Sequence, residues 1–191
     1  MALRHGRFTK ITSSKGSSAM LAVTLSLIMP LCLALAAFTD LFEMKIPNAI
    51  PLVLLIGFAA LALVLGLPIG LAGLHLTAGL IVFFGCFTLF AVNVMGGGDA
   101  KLLTAAAVWY GFNISLVEFL IEVAMFGGVL TLMILALRSQ ANTVMALGLR
   151  LPRSLIVEKK IPYGIAIAIG GFCSFLSAPV VTLALATVSP K

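Results

Sequence analysis

Five apolar stretches, each about as long as a bilayer is thick, limit what this chain can become. They run from about Met20 to Phe38, from Pro47-Asn48 to about Leu67, from about Leu74 to Val94, from about Ser115 to Leu137, and from about Pro162 to Val188. A helix needs roughly 20 apolar residues, rising 1.5 Å each, to cross the hydrocarbon. A further run, Leu102 to Tyr110, is too short and would cross about half of it unless it continues past Gly111. Non-helical backbone beside that run must be buried in protein or face a watery cavity, because lipid offers no hydrogen bonds. The expected fold is therefore all-α, a polytopic membrane protein of about six transmembrane helices, with the short one following Gly96-Gly97-Gly98-Asp99.

Composition agrees. Of 191 residues, 62% are hydrophobic and 9% charged, with a mean hydropathy of +1.23, against roughly 25% charged in a soluble domain. A soluble domain of this size has too little interior to hide so much apolar surface, so the lipid bilayer is the expected partner, and the length suits one bundle. The net charge of +6 comes from twelve Lys and Arg against six acids. The positive residues lie in loops and the N-terminal tail, a placement that reads as topology and gives no reason to expect nucleic acid. Residues 1–19 form a basic tail (Arg4, Arg7, Lys10, Lys15), expected to be untranslated or disordered, ahead of a transmembrane domain over 20–191. The first apolar run is too long for a signal peptide and lacks an A-x-A site, so it is read as a retained helix. Cys32, Cys86 and Cys173 stand singly in apolar runs; with no C-x-x-C or zinc spacing they read as packing residues. No metal or cofactor is expected.

A carboxylate in a spanning segment is expensive and is a functional candidate by default, and only six acids need weighing. Asp40 falls at the C-terminal end of the first helix, where the macrodipole disfavours negative charge; it is either a solvated residue paired with Lys45 or a functional one. Asp99 follows three glycines and precedes a helix, so it is either an N-cap or part of a site. Three glycines at membrane depth permit positive φ and close backbone approach by another chain, as a peptide lying extended against a protease would require. An even number of helices separates the two aspartates, which puts them on the same side. Facing carboxylates share a proton near neutral or mildly acidic pH; one then takes a proton from water while the other polarises a carbonyl. His5, in the tail, and His75, in an apolar run, support neither a Ser-His pair nor H-E-x-x-H. By elimination, the carboxylates carry any hydrolysis.

Three stretches now coincide: Asp40 with Ile46-Pro47-Asn48, then Gly96-Gly97-Gly98-Asp99-Ala100-Lys101-Leu102-Leu103, then Ile161-Pro162-Tyr163-Gly164-Ile165-Ala166. In this order and at these helix ends, across residues 40–166, the chain resembles the prepilin peptidases, polytopic aspartyl proteases of the GxGD type. The resemblance implies that Asp40 and Asp99 are the catalytic pair at the cytoplasmic face of a bacterial inner membrane. It implies a prepilin substrate, with a basic leader cut from a hydrophobic helix, usually after glycine. Larger members carry a cytoplasmic insert with paired cysteines and also methylate the new N-terminus. This sequence looks like the short, peptidase-only form of Flp or tight-adherence pilus systems, and methyl transfer is not expected.

Other residues take smaller parts. Lys101 either tunes the pair or contacts substrate, or it snorkels to the surface. Pro47, beside Asn48, and Pro162 suit helix starts, and Pro162-Tyr163-Gly164 is a candidate wall of the site. Glu118 and Glu122 share one face of the fifth helix at the end away from the aspartates, which suits a headgroup-level role better than a metal or proton site. Glu43 reads as solvated. Lys45, Lys101, Arg138, Arg150, Arg153, Lys159 and Lys160 lie on the aspartate side, seven against five for the tail plus Lys191. That margin is thin for the positive-inside rule; translation starting at Met20 would leave seven against one, and the intact mass of natively expressed protein decides it. Two other classes stand beside the protease: a non-catalytic pilus or secretion assembly subunit, and a small proton-coupled transporter. The transporter would favour midplane carboxylates and inverted repeats, whereas these acids lie at helix ends and no repeat is visible.

Overall fold

The computed structural model describes residues 16–139 and 161–188, and every element among them is helical. In chain order these are α1 (Gly16–Glu43), α2 (Ala49–Leu65), α3 (Ile69–Ala91), α4 (Gly97–Tyr110), α5 (Ile114–Ser139), α6 (Tyr163–Cys173), a 3₁₀ turn at Phe175–Ser177, and α7 (Pro179–Ala186). The tail before Gly16 and the basic loop residues Arg150, Arg153, Lys159 and Lys160 lie outside the described residues.

Three of these helices, α1, α3 and α5, are long and apolar enough to cross a membrane, fewer than the five full spans expected. Helix α2 has 17 residues, and the C-terminal run divides into α6 and α7. Pro179 causes that division. It takes the first position of α7, where its missing N–H costs nothing, and it forces the preceding Ala178 into an extended conformation (ψ 121°) that no helix continues. Pro30 acts more gently in α1: it has no N–H to donate one turn back, and the helix tightens at Leu27, whose N–H goes to Thr24 O at 3.2 Å. Helix α4 starts at Gly97, earlier than the expected Leu102, and its 14 residues rise ~21 Å. Gly111, at φ 67°, closes it, and the next N–H, of Phe112, bonds Leu74 O of α3 at 3.1 Å.

The short helix is the centre of the bundle, touching α2, α3, α5, α6 and α7. Between the buried Leu102 and Leu103 and the fully buried Trp109 and Tyr110 it buries a run of small residues, Ala105, Ala106 and Ala107. Small residues let backbones approach where no hydrophobic effect drives helices together. A methyl on Gly79 of α3 would lie 2.6 Å from Val108, and one on Gly170 of α6 2.7 Å from Val123. Large apolar side chains instead face outward, among them Leu31, Leu35 and Phe38 on α1 and Ile121, Met125 and Leu132 on α5. Lipid is the solvent that suits such faces.

The far end of α4 is locked by polar bonds. Trp109 Nε1 donates to Leu54 O of α2 at 3.1 Å, and the Tyr110 and Ser174 hydroxyls lie 2.8 Å apart. Trp109→Phe is expected to cost about 1 kcal/mol by leaving that carbonyl short of a donor, read as a lowered thermal midpoint in detergent.

Candidate active site

Asp40 lies one turn before the end of α1, and its side chain is 6% exposed. The helix stops at Met44, which turns left-handed (φ 54°) and returns its N–H to Asp40 O. The carboxylate would be poorly placed against its own helix dipole. The fold answers this with another helix: Gly164 N–H, in the first turn of α6, donates to Asp40 Oδ2 at 2.7 Å. Asp40 thus occupies the N-terminal end of α6, where unsatisfied amides favour an anion. The bond requires glycine, because a methyl there would stand 2.8 Å from Oδ2 and 3.0 Å from Asp40 Cβ.

Asp99 is not the N-cap of α4. Gly96 takes that position, and Asp99 sits in the first turn, with Oδ1 buried. Here too a carboxylate meets the positive end of a helix. None of the three glycines before it has a positive φ, so backbone freedom is not their use. Each admits a neighbouring side chain of the protein itself: a methyl on Gly96 would stand 2.7 Å from Asp99 Oδ2, one on Gly97 3.3 Å from Phe90, and one on Gly98 3.2 Å from Ile46.

Asp40 and Asp99 line one cavity of about 470 Å³, open between α1, the Met44–Asn48 turn and the start of α4. Ile46 ties its two sides together, packing against Gly98 next to Asp99 and against Gly164 next to Asp40. Gly96, Gly97, Gly98, Pro47 and Asn48 also border this cavity. Pro162, buried, caps α6, whereas Pro47 falls just before Asn48, the cap of α2. Lys101 lines neither this cavity nor its neighbour; its Nζ donates to Asn48 Oδ1 at 3.0 Å, a strut between α4 and α2. Lys101→Met, losing one exposed hydrogen bond, is expected to cost at most about 1 kcal/mol, read as a small drop in the thermal midpoint in detergent.

A second cavity of about 570 Å³ shares Gly96, Gly97, Asp99 and Ile161 with the first and extends past Phe90, Met95 and Thr131 to Tyr163. The Tyr163 hydroxyl packs onto Gly127 of α5. Sequence reasoning missed Phe90, Met95 and Thr131, ordinary apolar or hydroxyl residues with no signal of their own, and it gave Ile46 and Ile161 no role beyond their places in the motifs. Glu43 did carry one: it falls three residues after Asp40, on the same helix face, and although exposed it borders the first cavity. Glu118 and Glu122 flank Phe119, which stacks on Tyr110 at the opposite end of the bundle (centroids 4.4 Å). Among the described residues, no group of three metal-ligating side chains gathers.

A polytopic helical membrane protein with two aspartates set at helix N-termini around one cleft is the class these features define. The model of the type IV leader peptidase family matches residues 27–137, and the chain belongs to that family. It is 29% identical over 156 residues to the prepilin leader peptidase/N-methyltransferase of Aeromonas salmonicida strain A449, and equally to one from Aeromonas salmonicida, an alignment covering 79% of this chain and 48% of each relative. The chain thus spans about half the length of the curated relatives it matches. No solved structure matches it.

Proposed function

We propose that this protein is an aspartyl endopeptidase of the bacterial inner membrane that removes the basic leader from prepilins of the Flp kind. The observation that carries the reading is the pair Asp40 and Asp99 lining one cavity. A carbonyl carbon held between them takes the oxygen of a water whose proton passes to the ionised carboxylate, while the protonated partner hydrogen-bonds the carbonyl oxygen. When the tetrahedral intermediate collapses, the C–N bond breaks and the leaving amine takes a proton from the carboxyl group. One water is consumed, and the dyad ends with the single proton it began with.

The aspartates face the cytoplasm in this reading, because Lys45, Lys101 and Arg138 share their end of the bundle. Cleavage alone is proposed, without methyl transfer: Cys32, Cys86 and Cys173 are free and too far apart in sequence to form a paired-cysteine motif. The test is co-expression with an Flp-type prepilin, followed as a gel shift. Precursor that stays full length beside normally expressed enzyme rules the reading out and favours an assembly subunit.

A further inference from the structure

The two cavities that share Asp99 differ in charge, and this gives the site a direction: besides Asp99, only the first has charged side chains on its border. The first is bordered by Glu43, Lys45 and Asn48 besides the aspartates. The second is walled by Leu89, Phe90, Asn93, Val94 and Met95 from the end of α3 and the loop after it, closed by Thr131 of α5 and Tyr163 of α6, with no charged side chain other than Asp99. Gly96, Gly97, Asp99 and Ile161 belong to both, so a chain lying across Asp99 has one side in each. Resting on the peptidase reading, we propose that the second cavity receives the first apolar side chain after the cut, and the first cavity the polar leader before it.

Three observations argue for this. A volume of about 570 Å³ lies within the range of preformed pockets for small organic groups, far beyond what a small side chain needs. The cavity borders Asp99, as the first one does, so whatever fills it lies beside a carboxylate of the proposed pair. The reverse orientation would set an apolar side chain beside Glu43 and Lys45 and move charged leader groups from those residues to a wall whose only charge is Asp99, a costly arrangement on both sides. Thr131 takes part through size, because its hydroxyl is already spent on Gly127 O at 2.7 Å.

The experiment uses the full chain in membranes and prepilins that differ only in the residue following the cut (Ala, Phe or Trp), comparing initial rates as ratios. Thr131→Trp fills the cavity and is expected to raise the Ala-to-Phe ratio about tenfold, the scale on which pocket size discriminates side chains. Met95→Ala enlarges the cavity and is expected to raise the Trp-to-Phe ratio. Unchanged ratios in both variants overturn the proposal and leave the cavity to a lipid chain. If Thr131→Trp cuts nothing, the Met95→Ala ratio alone decides. A wild type that cuts none of the precursors strikes the peptidase reading instead, so the two failures are distinct.

Discussion

Asp99→Asn and, separately, Asp40→Asn are expected to leave prepilin uncut, with rates at least about 10³-fold below wild type, within the span attributed to general acid–base groups. Asparagine keeps the size and shape of each side chain. At position 40 it still offers an oxygen to the Gly164 N–H, which spans 2.7 Å in the native protein, so the fold should survive. What is lost, on the proposed mechanism, is the group that takes a proton from water or holds one for the leaving amine. Accumulated precursor beside normal amounts of enzyme is the expected gel. Either variant cutting at the native rate would remove that aspartate from the chemistry and bring the assembly-subunit and transporter readings forward.

Gly164→Ala is expected to lower cleavage by about 10²-fold while leaving both aspartates in the sequence. The added methyl would stand 2.8 Å from Asp40 Oδ2 and 3.1 Å from Ile46 Cδ1, so the carboxylate or α6 has to move. A misplacement near 1 Å in a catalytic group costs on that order. Ile46 also rests on Gly98, so the disturbance reaches the Asp99 side. Gly128→Ala serves as the control: it lies in a helix of the same bundle, its methyl would meet nothing within 4 Å, and both rate and expression should stay native. Equal loss in both variants would point to folding as the cause.

Asp40 and Asp99 could be singled out as candidates because carboxylates are scarce and costly in so apolar a chain, and the apolar runs could be read because lipid imposes a length on them, although only three of the five expected form single helices long enough to span. What supports the aspartates could not be read the same way. The Gly164 bond joins residues far apart in the chain, and no local pattern announces it. Gly96, Gly97 and Gly98 suggested backbone freedom, yet their φ values are ordinary and their smallness serves Asp99, Phe90 and Ile46. The division at Pro179 was legible in principle, since the residue before a proline resists the helix; the apolar character of the whole run concealed it. Asp99 looked like a cap because it follows glycines, whereas the helix begins at those glycines and carries it in its first turn.

The bond between Asp40 and Gly164 spans 124 positions, and this has a consequence for how the protein is made. At roughly 5–20 residues per second of synthesis, Gly164 leaves the ribosome some ~6–25 s after Asp40. Until α6 has entered the membrane and docked on α1, Asp40 lacks the amide that aims it. On the proposed reading the nascent chain is therefore silent while its early helices are being inserted, and proteolytic competence arrives as a late event of translation.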